Sequence, residues 1–123
     1  HIDTDGMYVS DGSGVSRMNA ISAYHLTSIL DYMVTSKNYK SFYSSLPIAG
    51  KSGTMYRIGR NTYAEGRLRA KSGTMTRVKS YAGYVTSKSG KNLAFALIVN
   101  NYTCYNSVVT KKLEKLMVAI ANH

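Results

Sequence analysis

Seven consecutive apolar residues, Leu93-Ala94-Phe95-Ala96-Leu97-Ile98-Val99, constrain this chain most. A strand with no polar alternation presents apolar side chains to both faces, so both faces must be covered. The run therefore predicts a central, buried strand. It is also the longest apolar run in the chain and falls far short of the ~20 residues needed to span a bilayer, so no transmembrane segment is expected.

Two more strand-like runs precede it. Arg67 to Thr76 alternates weakly, and Ser80 to Thr86 is rich in Tyr and Val. Ser87-Lys88-Ser89-Gly90-Lys91 reads as a hairpin loop. Both connections are short, which makes neighbouring strands antiparallel.

Helices flank this meander. Leu26, Ile29, Leu30, Met33 and Val34 form one apolar stripe, with Ser22 placed to cap it. A short helical turn is expected from Tyr39 to Leu46, stopped by Pro47. A last helix runs from about Asn106 to Ala121, with Val109, Leu113, Leu116, Met117 and Ile120 on its apolar face and Asn106 or Ser107 as its cap. Residues 48–66, punctuated by Gly50, Gly53, Gly59 and Gly66, read as a long loop with little regular structure. The fold class is α+β, with helices laid on an antiparallel three-stranded sheet.

Composition narrows the functional classes. At 123 residues, 44% hydrophobic and 18% charged, the chain fits one folded domain and is no disordered polyelectrolyte. The single cysteine, Cys104, excludes an intramolecular disulfide framework and reads as a small packing residue. His1, His25 and His123 are scattered and give no metal-ligand spacing, so neither metal nor cofactor is expected. His25 sits among the apolar positions of the first helix and reads as structural. The eleven tyrosines read as core and rim packing. The opening His1-Ile2-Asp3-Thr4-Asp5 is not leader-like, so no secretory leader is expected within this chain. The net charge of +10 is concentrated in residues 51–91, where ten basic groups face Glu65 alone. Such a stretch suits an anionic partner, so a non-catalytic basic module binding nucleic acid or anionic wall polymer is one reading.

A heptapeptide echo brings in chemistry. Lys51-Ser52-Gly53-Thr54-Met55-Tyr56-Arg57 nearly repeats as Lys71-Ser72-Gly73-Thr74-Met75-Thr76-Arg77. Lys-Ser-Gly on a strand edge has a use. The ammonium supplies positive potential, the hydroxyl can bind a carboxylate, and glycine lets a substrate lie against the backbone. The next N–H can then meet a developing oxyanion. The second copy ends a strand-like run and leads into another; the first lies in the glycine-rich loop and reads as a chance match.

Four ordered landmarks extend this. Asp11-Gly12-Ser13-Gly14-Val15-Ser16-Arg17-Met18-Asn19, Leu46-Pro47-Ile48-Ala49-Gly50, Gly66 through Met75 with Ala82-Gly83-Tyr84-Val85, and Leu93 through Asn101 resemble, in this order, segments of the class C low-molecular-mass penicillin-binding proteins. These DacB-like proteins are D-alanyl-D-alanine carboxypeptidases/endopeptidases. The resemblance implies the C-terminal part of the penicillin-binding/serine β-lactamase transpeptidase-like fold, without the first strands of its sheet, and so a single partial domain over residues 1–123. It implies Ser16 as the second-motif hydroxyl, Asn19 as its amide partner at a Ser-x-x-Asn spacing, and Lys71, Ser72 and Gly73 as the third motif. Thr74 N–H would form half of the oxyanion hole.

The first motif, Ser-x-x-Lys, does not occur: no lysine has a serine three residues before it. The expectation is the C-terminal part of a longer serine peptidase, without turnover on its own. Its substrate would be a peptidoglycan stem peptide, with β-lactams as mimics, no nucleic acid, and a periplasmic or cell-wall location. The resemblance also pairs the first strands of the sheet with the last one. Without them Leu93 to Val99 would be an exposed edge, available to a second copy as a homodimer contact.

Overall fold

Side-chain alternation assigns the sheet its two faces. A computed structural model describes residues 2–123, so His1 lies outside the described residues. Strands β1 (Leu68–Met75), β2 (Val78–Thr86) and β3 (Asn92–Asn100) form one antiparallel sheet in the order β1-β2-β3. Leu68, Ala70, Tyr81, Val85 and Phe95 point to one face. There they pack on Val109, Leu113, Met117 and Ala121 of a helix spanning Asn106–Ala121. Ala82, Tyr84 and Ala94 point to the other face, onto Leu30, Tyr39, Phe42 and Tyr43. That layer is made by helices α1 (Ala23–Val34) and α2 (Tyr39–Ser45), which makes Asn106–Ala121 helix α3. The α+β class expected from the sequence is therefore the one observed.

Local chemistry sets the helix boundaries. Ser22 caps α1 by accepting from His25 N–H at 3.1 Å, and His25 Nδ1 accepts from Ser22 N–H at 3.2 Å. This is a capping box with histidine in the usual Glu/Gln place. Because Nδ1 accepts, Nε2 carries the proton and donates to the Asp5 carbonyl at 3.1 Å. His25 is thus a buried structural link between the N-terminal segment and α1. The N-cap of α3 is Tyr105 and makes no side-chain capping bond, so neither Asn106 nor Ser107 caps it.

Two expectations are corrected, and a third is refined: residues 48–66 carry little regular structure, as expected, but are packed into the core. β3 stands at the margin of the sheet and not at its centre, with only Phe95 buried; the meander order leaves its outer edge without a strand partner among the described residues, as the resemblance implied. Cys104 is exposed in the segment after β3, so it is not a core-packing residue. Residues 48–66 are wound tightly: Ala49, Met55, Ile58 and Ala64 are buried in the main core. Gly50, Gly53, Gly59 and Gly66 all take positive φ there, which lets successive turns fold back on themselves.

Candidate active site

β1 has one edge bonded to β2 and one open edge. Near its start the open edge is occupied: Ala49 N–H donates to Leu68 O at 2.9 Å and Ala70 N–H to Pro47 O at 3.0 Å. Backbone groups alternate sides along a strand, so the N–H and C=O groups of Ser72 and Thr74 leave the same edge as those of Ala70. Beyond Ala70 no backbone group among the described residues bonds to them; the Ser72 carbonyl is taken only by the Lys71 side chain. The Lys71-Ser72-Gly73-Thr74 segment is therefore a strand edge without a strand partner, with the Ser72 and Thr74 N–H groups left open.

The side chains of this segment split between faces. Lys71 and Gly73 point toward the α1 face, and Ser72 and Thr74 toward the α3 face. Lys71 is exposed, and its ammonium curls over the edge to donate to Ser72 O at 2.7 Å. Gly73 lies opposite Ser80; a Cβ there would come within 2.5 Å of Ser80 Oγ. On the far face, Lys79 donates from Nζ to Thr74 Oγ1 at 2.7 Å.

The second component is a closed loop. Tyr8 and Ala20 exchange two backbone bonds, both 2.8 Å, which cinch residues 9–19 together. Inside it Asn19 is a clamp: Oδ1 accepts from Ser10 and Asp11 N–H at 2.7 and 3.2 Å, and Nδ2 donates to Asp11 Oδ1 at 2.6 Å. The Ser13 hydroxyl bonds Asp11 Oδ2. The donors Ser13 and Asn19 hold the Asp11 carboxyl at about 2, below its ordinary value of 3.8. Ser16 N–H also reaches Asp11 Oδ1, at 3.3 Å, and Ser16 Oγ accepts from Met18 N–H at 3.1 Å. The Ser16 hydroxyl proton is left free to donate.

Loop and strand meet in a groove of about 930 Å³ lined by Ser16, Asn19, Gly73, Thr74, Ser80 and Asn100, among others. The structure thus brings four of the six sequence-derived site residues, Ser16, Asn19, Gly73 and Thr74, to one groove. Lys71 and Ser72 do not line it; they sit next along the same strand edge. The amide of Asn19, expected as the partner of the Ser16 hydroxyl, is engaged within its own loop. Lys51-Ser52-Gly53 is a separate tight turn, in which Ser52 Oγ accepts from Ile48 N–H at 2.9 Å. Sequence reasoning gave no role to Asp11, Ser80 or Lys79. Lys79 was within reach, because it shares the inward alternation of Tyr81, Gly83 and Val85.

The match to known proteins decides the family. The model of the D-Ala-D-Ala carboxypeptidase 3 (S13) family matches residues 1–123, the full chain.

This chain belongs to the S13 family.

Its similarity to a D-alanyl-D-alanine carboxypeptidase of Actinomadura sp. (strain R39) is 36% identity over 107 residues, covering 83% of this chain and 20% of that protein. It is 40% identical over 106 residues to Carboxypeptidase DacB of Mycolicibacterium smegmatis, covering 81% of this chain and 23% of the relative. The S13 chain therefore spans about a fifth to a quarter of these relatives. Its fold superposes on penicillin-binding protein 4 (dacB) of Haemophilus influenzae with a TM-score of 0.87 at 24% identity, over 99% of this chain and 29% of that one. The same Haemophilus protein has been solved in complex with a β-lactam. Among the described residues, no helix of the S13 chain is long and apolar enough to cross a membrane.

Proposed function

We propose that this chain is the C-terminal portion of a serine-type D-Ala-D-Ala carboxypeptidase/endopeptidase. It acts outside the cytoplasm on peptidoglycan stem peptides through an acyl-enzyme. Its contribution is the strand edge against which the substrate lies and the serine loop beside it. The observation that carries this reading is the open edge of β1, where Lys71, Ser72, Gly73 and Thr74 stand beside the groove that Ser16 lines.

In the mechanism, a serine outside this chain attacks the penultimate D-alanine carbonyl, and the carbonyl oxygen becomes an oxyanion. Thr74 N–H, aimed out of the edge, is one of its two donors. The C–N bond then breaks. Ser16 and Lys71 pass the serine proton to the leaving D-alanine amine, while Ser72 holds the terminal carboxylate. Asn19 serves by holding the loop that presents Ser16. Water then hydrolyses the ester, returning the serine and releasing the shortened peptide. A penicillin follows the same first half: its lactam C–N bond opens, the amine stays tethered, and the ester persists. A chain without the nucleophile has no turnover.

The test uses the chain extended upstream through its Ser-x-x-Lys. Lys71→Ala is expected to lower its rate of acylation by penicillin at least ~100-fold, the scale for removing a group that acts only in the transition state. Unchanged acylation would remove Lys71 from the site. β3 is proposed to pair with a second copy when this chain is isolated.

A further inference from the structure

The buried lysine of β2 has no part in the mechanism above. Lys79 is only 8% exposed, on the α3 face of the sheet, directly across from Thr74 in the strand register. Its ammonium lies 5.4 Å from the centre of the Tyr81 ring and donates to Thr74 Oγ1 at 2.7 Å. Burial pushes its pKa down, and no carboxylate among the described residues offsets that burial. A buried ammonium held by one hydroxyl and one ring is a poor choice for stability, since an apolar side chain of similar length would avoid the desolvation. Thr74 is also the residue whose N–H leaves the open edge toward the groove.

We propose that Lys79 is a positioning residue of the acyl-transfer site: from behind the sheet it anchors the Thr74 side chain, which keeps the Thr74 N–H aimed out of the edge, and it holds a positive charge behind the point where the oxyanion develops. Lys71 and Lys79 then flank the edge strand from opposite faces, Lys71 at the substrate and Lys79 beneath it. The inference rests on the function proposed above.

The experiment uses the enzyme extended upstream through its Ser-x-x-Lys, in wild-type form and as Lys79→Met, Lys79→Arg, Thr74→Val and the Thr74→Val/Lys79→Met double variant. Penicillin acylation is followed by stopped flow, which separates initial binding from the acylation rate constant, and stability is followed by urea unfolding. Lys79→Met is expected to slow acylation about 10-fold with binding changed less than about twofold, a typical cost for losing a group that orients a reacting one. Its resistance to urea should stay level or rise. Lys79→Arg should restore the rate to within about threefold, because the charge and a donor return. Thr74→Val, which keeps the N–H and removes the hydroxyl, should slow acylation similarly, and the double variant should be no slower than the slower single. If Lys79→Met acylates as fast as wild type, or loses rate only in step with stability, the inference is overturned and the functional reading stands. If Lys79→Met fails to fold, Thr74→Val decides: a wild-type rate there overturns the inference. If the wild-type enzyme itself is not acylated, the functional reading fails and the inference falls with it.

Discussion

Asp11 carries the most consequence per atom in this chain. Its carboxylate accepts from Ser13, Ser16 and Asn19, and so ties together the loop that presents Ser16. Its pKa in the folded chain lies below the ordinary value, so this tie is fully present above pH 3.8 and is lost as pH falls through about 2. The carboxyl titration of Asp11, followed by NMR, is expected to have its midpoint near 2, and Asn19→Ala is expected to move it back toward 3.8. A wild-type midpoint already at 3.8 would mean that the clamp does not form in solution. The sequence readily showed which residues could carry chemistry where they are contiguous, as in Lys71-Ser72-Gly73-Thr74. It hid the Asp11–Asn19 clamp, because a side-chain bond across eight residues of irregular chain has no period to betray it. It also hid the engagement of Asn19, since composition cannot say whether an amide faces its own backbone or a ligand.

Helices and strands were legible where one face is buried, because burial forces periodicity. α1 and α3 follow their apolar stripes except at Val34 and Leu116, which are exposed, and the strands follow the runs of Tyr, Val and Leu. The wrapped turns of residues 48–66 were not: their buried residues, Ala49, Met55, Ile58 and Ala64, follow the turns that positive-φ glycines permit, and no regular spacing. The echo within the chain makes the same point. Met55 is fully buried in a 3-10 turn, while Met75, in the matching position, ends a strand beside the groove. Two heptapeptides that differ only at Tyr56 and Thr76 took different structures because their surroundings differ. Where elements dock, single bonds hold them. Tyr84 crosses from β2 to α1 and donates its hydroxyl to Leu30 O at 2.6 Å; burial, with Tyr39 and Asp31 nearby, pushes its pKa up to about 12. Tyr84→Phe keeps the ring against Tyr39, Phe42 and Tyr43 but leaves the Leu30 carbonyl short of a donor. It is expected to cost about 1–3 kcal/mol in urea unfolding. No change in stability would show that the bond contributes nothing net to docking α1.

The basic charge of the whole molecule turns out to be partly committed to its own fold. Arg77 donates to the carbonyls of Asn101 and Tyr102 at 3.1 and 3.2 Å, and the guanidiniums of Arg60, Arg67 and Arg69 lie over tyrosine rings. These groups brace loops and strand ends, so the run of charge in residues 51–91 is less a free polyanion surface than its count suggests. The open margin of β3 is the opposite case, an apolar strand with outward backbone groups unused among the described residues. In sedimentation velocity the isolated chain is expected to show a dimer that grows with concentration; monomer at every concentration would mean that the margin is protected. The central claim is that this S13 chain supplies one side of an acyl-transfer site whose nucleophile lies outside it. Intact mass after incubation with a penicillin tests it most directly, on this chain beside the same chain extended upstream through its Ser-x-x-Lys. The account predicts that the longer chain alone gains the mass of one drug molecule. Stoichiometric labelling of the short chain would place the nucleophile among its own serines and contradict the account.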